Sequence, residues 1–281
     1  MSRCSTTSWR SPTSTTAANR LPQQVRALAE DPTAHAPCPP GFKRILTDGY
    51  CLFFGPGEDM TMVQRLRLAP GDVEPTVEAV REEVRARERS LFTWWVTDSS
   101  RPADLEQRLI GLGMEPAAMP IHEPEYAAMV LVQPPDMPPG GVEARQVSSY
   151  EEYVTAWEIG AEAFRQTEEQ RESARRVLRQ LYELHEQGIS ATYLAFVDRR
   201  PVAMASAVFA DAGVMLLGGA VGEKARGRGC YRALVQARWE DAVERGTPAL
   251  VVQAGEMSRP ILERLGFERV ATMRPLVDRL A

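Results

Sequence analysis

The chain has 281 residues, 44% hydrophobic and 25% charged, with a formal net charge of −5. This is ordinary globular composition, long enough for one large domain or two small ones whose core needs no disulfide support. The acidic balance argues against nucleic acid or an anionic membrane as the main partner, and no apolar run approaches the roughly 18–20 residues that cross a bilayer.

The four cysteines, Cys4, Cys38, Cys51 and Cys230, have neither metal-ligand nor redox spacing, and His35, His122 and His185 are scattered. No metal site is expected. So few cysteines, without an apolar signal core at the N-terminus, fit a reducing cytoplasm.

Residues 1–40 are rich in Ser, Thr, Pro and Ala and read as a disordered tail, with a short helix over 21–31 as a local exception. Residues 43–54 carry β-branched and aromatic side chains around Asp48-Gly49, the pattern of a hairpin. Strands are predicted at 60–68, 90–96 and 126–132, the last closing the N-terminal half. Helices are predicted at 74–88 and 102–112, with Pro102 in the first turn of the second and Gly113 just past its end. Residues 134–141 (PPDMPPGG) form the clearest linker, because stacked prolines stop regular structure and the glycines release the chain. The second half opens with a strand at 142–147. Helices at 149–164, capped by Ser148 or Ser149, and at 170–186, ended by Gly188, follow. Strands are then predicted at 192–197, 202–209, 213–221 and 250–253, with a helix reaching Glu244, a short helix at 260–265 and a last strand after Phe267. Hairpin strands followed by alternating strands and helices predict a mixed α/β (α+β) sheet.

Two stretches echo each other. SLFTWWV is followed by SRP, a helix and Leu112-Gly113-Met114; PALVVQA is followed by SRP, a helix and Leu265-Gly266-Phe267. The shared order points to a duplicated domain, against chance similarity of short helix caps.

The most informative stretch is residues 214–234, in which an apolar strand runs into Arg226-Gly227-Arg228-Gly229-Cys230-Tyr231 and then a helix with a stripe at Val235, Trp239, Ala242 and Val243. A helix N-terminus offers unpaired N–H groups and roughly +0.5 charge. Gly227 and Gly229 remove Cβ atoms, so backbone can approach an anion closely. Arg226, Arg228 and Arg232 add cationic donors suited to phosphate. No GK[ST] follows, and GxGxxG with its later acidic partner is absent, so neither a P-loop nor a dinucleotide fingerprint fits. A plain basic surface turn with glycine caps remains the alternative.

Arg226-x-x-Gly229-x-Tyr231 resembles the R/Q-x-x-G-x-G/A loop of the GNAT (GCN5-related N-acetyltransferase) superfamily, and Leu265-Gly266-Phe267 resembles that family's LGF. The resemblance covers residues 142–281; residues 41–134 resemble a degenerate GNAT-like domain without the loop, joined by a linker at 135–141. It implies tandem GNAT-like domains and acetyl-CoA as co-substrate. Arg226, Gly227, Arg228, Gly229, Cys230, Tyr231 and Arg232 would hold its pyrophosphate, and backbone near Gly219 and Val221 its pantetheine arm. There are two departures. Tyr231 stands where the family has Gly or Ala, and Leu262 stands where many members have a tyrosine acid.

The implied activity is direct acetyl transfer to a primary amine of a small molecule or peptide, without nucleic acid, membrane or metal, by a monomer or homodimer. A catalytically silent acyl-CoA-binding sensor or scaffold is the alternative, and an unrelated nucleotide-binding protein a third reading. A general base is needed within reach of the amine. Glu158 and Glu162 on the first helix of this half are the candidates, and Ser258, after the strand at 250–253 where the family's cleft often closes, is a further catalytic-site candidate. The two glutamates also fit a solvated helix surface, and Ser258 a helix cap. Cys230 lacks an activating neighbour in sequence and is not expected to be a nucleophile.

Overall fold

A computed structural model of the chain describes residues 21–57, 60–119, 121–135 and 141–280. The expected tail over 1–20 and most of the expected linker, residues 136–140, lie outside the described residues. The tail expectation is corrected for 21–40. Helix α1 (Gln23–Glu30) and the short α2 (Pro32–His35) belong to the folded body. The reason is visible in α1, where Val25, Leu28 and Ala29 fall on one helical face and are buried.

The N-terminal half continues with the hairpin β1 (Lys43–Leu46) and β2 (Cys51–Phe54), then β3 (Thr61–Gln64), α3 (Val73–Arg85), β4 (Leu91–Thr97), α4 (Leu105–Gly111), the two-residue β5 (Glu115–Pro116) and β6 (Tyr126–Leu131). In the hairpin turn the Thr47 hydroxyl accepts from the N–H groups of Gly49 and Tyr50. Helix α3 buries Val73, Val77, Val80 and Val84, one stripe at helical spacing.

The C-terminal half holds β7 (Glu143–Gln146), α5 (Tyr150–Ala163), α6 (Glu168–Glu186), β8 (Ser190–Val197), β9 (Arg200–Ala210), β10 (Gly213–Val221), α7 (Cys230–Glu244), β11 (Leu250–Ala254), α8 (Arg259–Glu263) and β12 (Glu268–Arg279). Ser149 caps α5 by accepting from Glu152 N–H. Thr167 and Gln170 cap α6 reciprocally, which starts the helix two residues before the position expected.

Among the described residues, twelve strands form one mixed sheet in the order β1-β2-β3-β4-β12-β6-β11-β10-β9-β8-β7, with β5 added on β12. Its parallel pairs are β3 with β4 and β10 with β11. Each is a strand–helix–strand unit followed by a short helix, so the sequence echo is an echo of topology as well.

The expectation that the strand at 126–132 closes the N-terminal half is corrected. β6 pairs with β11 on one side and β12 on the other, while β12 pairs with β4. Each half therefore receives the last strand of the other. Alternation drives this: Ala127, Met129 and Leu131 enter the core under α7, and Ala128 and Val130 the core under α1, so β6 is buried on both faces and must sit centrally. Asp278 locks the exchange. It is 1% exposed, accepts two bonds from Arg81 of α3 at 3.0 and 3.1 Å, and a third from Trp94 Nε1 at 3.2 Å.

Helix α7 covers the C-terminal part of one sheet face, and α3 with α4 cover the N-terminal part of that face. Helices α1 and α5 lie on the other. On α7 the expected stripe holds for Val235, Trp239 and Ala242, but Val243 is 52% exposed. Arg238 takes a place in the buried set instead.

Candidate active site

Strands β10 and β11 pair only at Val214 with Leu250 and Met215 with Val251. Beyond that point they splay, and among the described residues β10 keeps only β9 as its partner. A bulge between Leu217 and Gly219 marks the departure, with Gly218 at φ +32°. A wedge opens in the sheet plane and the N-terminus of α7 points at it. The cleft formed there has a volume near 850 Å³; Gly219, Val221, Arg226, Gly229, Tyr231 and Arg232 are among the residues that line it.

The loop is built to present backbone. Gly227 has φ +76°, and a Cβ placed on it would meet nothing within 4 Å. Gly229 is the N-cap of α7 at φ +87°, with no side chain to satisfy the first N–H groups and no acidic residue in the first turn. Those donors and the positive end of a fifteen-residue helix are thus left for an external anion. Arg226, Arg232 and Arg264 line the same cleft, and no carboxylate does so among the described residues. An extended thioester cofactor with a pyrophosphate fits this donor set and this wedge.

Most of the expected loop residues meet here, with one exception. Arg228 turns away, lines a second cavity near 550 Å³ and lies 3.7 Å from Asp198. Its position between two glycines sends successive side chains to opposite sides of the turn. Cys230 is 1% exposed and its thiol donates to Ala225 O at 3.8 Å. Burial pushes that thiol up, so it is a packing residue, as its lack of an activating neighbour implied.

The expected base residues are not brought together. Glu158 is exposed and lines neither cavity. Glu162 lines the second cavity. Ser258 does line the wedge, yet it makes no capping bond to α8; its hydroxyl donates to Gly255 O at 3.3 Å. Leu262 is fully buried in the core beneath the cleft.

Two features were not read from the sequence. A Cβ on Gly219 would lie 2.7 Å from Tyr231 Cε2, so the Tyr231 ring packs against the strand one residue past the bulge. Behind it, Arg238 is 1% exposed. Its Nε donates to Leu234 O at 2.9 Å and its Nη1 to Ser206 O at 3.3 Å, while Nη2 has no partner among the described residues. Burial pulls this guanidinium down from its ordinary range. The signal available in the sequence was a charge seven residues after Tyr231, on the face of α7 that carries Leu234 and Val235.

The N-terminal half has the same unit with its wedge closed. Past β3 and β4 the chain pairs again through Arg67 and Arg101, with Arg101 N–H donating to Leu66 O at 3.0 Å and Leu68 N–H to Arg101 O at 3.1 Å. Asp31, just past the end of α1, accepts from Arg65 N–H at 2.9 Å and from Arg67 Nη2 at 3.0 Å. Burial pushes the Asp31 carboxyl up while Arg67 opposes the shift.

No protein-family model matches the chain, and no curated protein does. Solved structures do. A GCN5-related N-acetyltransferase from Kribbella flavida matches with TM-score 0.68 at 17% identity, over 92% of this chain and 96% of that one. A tandem GNAT protein from the clavulanic acid biosynthesis pathway matches with TM-score 0.59 at 15% identity, over 92% and 94%. A GCN5-related N-acetyltransferase from Sphaerobacter thermophilus matches with TM-score 0.55 at 18% identity, over 84% and 82%. With the paired strand–helix–strand units and the exchanged strands, these matches show that the chain has the GCN5-related N-acetyltransferase fold, built twice in tandem.

Proposed function

We propose that the chain is an acetyl-CoA-dependent N-acetyltransferase that transfers an acetyl group directly to a primary amine of a small molecule or peptide. The observation that carries this reading is the splay of β10 from β11 in front of the glycine-capped, arginine-flanked start of α7. The wedge would take the pantetheine arm against backbone at Gly219 and Val221. Arg226, Arg232 and the first N–H groups of α7 would take the pyrophosphate. Only the C-terminal wedge would bind. No carboxylate lines it among the described residues, which favours an acceptor that loses its proton through water. The proposal includes a monomer or homodimer acting in the cytoplasm. Free Cys38, Cys51 and Cys230 suit a reducing compartment. Among the described residues no helix is long and apolar enough to cross a membrane.

The test is calorimetric titration with acetyl-CoA, followed by measurement of CoA release with a panel of amines. Wild type should bind. Arg226→Ala should bind about ten- to a hundredfold more weakly, through loss of a charge-assisted contact of about 1.5–3 kcal/mol. Gly229→Val should bind more weakly still, because a β-branched residue is strained at this positive φ. Absence of binding to well-folded wild type would end the reading.

One observation favours a second reading, a catalytically silent acyl-CoA-binding module: the Tyr231 ring leans on Gly219 inside the wedge. Binding without turnover of any amine would select it.

A further inference from the structure

A cofactor whose phosphates sit at the start of α7, and whose arm follows β10 past Val221 and Gly219, ends at the bulge between Leu217 and Gly219. The amine must meet the thioester there. The cleft passes through the sheet. The first turn of α7 lines it from one face, and Ala163 and Phe164 at the end of α5 line it from the other. With cofactor filling the α7 mouth, the acceptor enters by the α5 mouth.

That mouth is apolar. Along β10, Val214 and Leu216 enter the core under α7, while Met215 packs on the α1 side. Leu217 follows on the face of Met215, and Ala220, past the bulge, rejoins the core under α5. Leu217 thus lies in the gap between the two helices, exposed, at the start of the splay. A Cβ at Gly218 would stand 4.0 Å from Phe164 Cε2, so the exposed Phe164 ring borders the bulge. Met257, also exposed, lines the cleft from the β11 bank. These are three of the seven large hydrophobic side chains exposed among the described residues. A lone exposed hydrophobic is ordinary, but a group of them around the mouth of a cleft marks a binding surface.

Charge narrows the choice of occupant. The charged side chains lining the cleft are Arg226, Arg232 and Arg264, and no carboxylate does so among the described residues. Glu123 is turned to Glu256 N–H, and Glu162 lines the second cavity. A second ammonium on the acceptor would lose water here without meeting a counterion. A single amine gains from the same surroundings, because desolvation lowers its pKa and favours the neutral nucleophile.

We infer that the acceptor is a monoamine on an apolar body, an alkyl or arylalkyl primary amine seated against Leu217, Phe164 and Met257, and that polyamines and lysine-rich peptides are rejected. The inference rests on the acyl-transfer reading above. In the reaction the amine nitrogen bonds to the thioester carbonyl carbon and loses a proton to water. The carbon–sulfur bond breaks with its electron pair on sulfur, and solvent returns a proton to the thiolate.

Hexylamine and cadaverine test this, since they differ only in a terminal methyl against a terminal ammonium. The ratio kcat/KM should favour hexylamine by about a hundredfold or more, and should rise about fourfold per methylene from butylamine to hexylamine. Calorimetry on the CoA-bound protein should show binding of hexylamine and none of cadaverine. Leu217→Glu and Phe164→Glu, both at exposed positions, should each cut the preference about tenfold or more by offering the second ammonium a counterion. Acetyl-CoA affinity should stay within about twofold in both, as no phosphate contact is lost. Val243→Glu, at an exposed position near the far end of α7, should leave the preference unchanged. Comparable kcat/KM for the two amines, or Glu variants that keep the wild-type preference, would overturn the inference and leave acyl transfer standing. Hexylamine that binds beside CoA but is never acetylated would keep the apolar site and remove the acyl-transfer reading. Wild type that binds acetyl-CoA yet neither binds nor acetylates hexylamine would overturn the inference.

Discussion

Replacing Asp278 by Asn tests whether the exchanged strand is what joins the two halves. The carboxylate is 1% exposed, and Arg81, its partner, has a side chain only 15% exposed. Asn keeps the shape and an acceptor for Trp94 Nε1, so the change removes charge rather than volume. Arg81 is left with Leu112 O at 2.9 Å and the largely exposed Glu78 at 3.3 Å. Two charge-assisted bonds are weakened, and a mostly buried cation loses its main counterion. Removing one partner of a buried pair typically costs about 3–5 kcal/mol, against a total stability of about 5–15 kcal/mol. For a chain of this size each kcal/mol moves Tm by about 2–4 °C, so Asp278→Asn should melt about 6–20 °C lower. Urea unfolding followed by circular dichroism measures this directly. The double change Arg81→Met with Asp278→Leu should recover much of the loss, because apolar replacement of a whole buried pair is far less costly than breaking it. A loss below about 1 kcal/mol in Asp278→Asn would refute the lock, since that is the range of an exposed pair.

Two further outcomes follow from particular residues. The closed wedge beside Asp31, Arg67 and Arg101 predicts one acetyl-CoA per chain by calorimetry; two sites of comparable affinity would refute the closure. The Glu152 carboxyl is held down at about 2, chiefly by Arg145, and also accepts from Ser148. Because the folded value lies below the unfolded one of about 4.5, its stabilisation is full above about pH 4.5 and disappears as pH falls through about 2. After discounting for the half-exposed Arg145, Glu152→Gln should cost about 1 kcal/mol at pH 7. Unfolding curves of wild type and variant should converge near pH 2, and a gap that persists there would contradict the assignment.

The parts of the fold legible in sequence were those set by local chemistry. Strand β10 was read to the residue because Gly213 opens it and the glycine loop ends it. A Cβ at Gly213 would stand 2.9 Å from Ala249 O, so that residue is fixed by its neighbour. The cap of α5 and the glycines closing α4 and α6 were visible for the same reason, whereas the Thr167–Gln170 box that starts α6 was not. Helix α1 was read only as a local exception within a tail, since eight residues amid Ser, Thr, Pro and Ala form a helix only when the sheet accepts Leu28. The strand exchange left no local mark. β6 and β12 are both apolar enough to be central, and which parallel pair each joins is a non-local choice. At the site, the loop's place between β10 and α7 was readable, but the directions of Arg228 and Tyr231 were not. Side-chain direction in a tight turn depends on φ values that the glycines leave free.

The exchange also gives the N-terminal half a part in the open wedge. Its own wedge is closed, yet it reaches the rim of the open one. Glu123, just before β6, accepts from Glu256 N–H at 2.6 Å, and a Cβ on Gly255 would come within 2.1 Å of its Oε1. The segment after β11, which brings Met257 and Ser258 to the wedge, is therefore seated on a carboxylate from the other half, which a side chain at 255 would have to displace. Tyr126 adds to this by accepting from Glu123 N–H at 3.1 Å, so strand β6, which completes the C-terminal sheet, also sets the rim's position. Separating the halves would take away a central strand and this rim contact together. The N-terminal half thus acts as a structural part of the wedge, and under the proposed function substitutions at Glu123 should alter acceptor handling without touching the residues that would hold the cofactor.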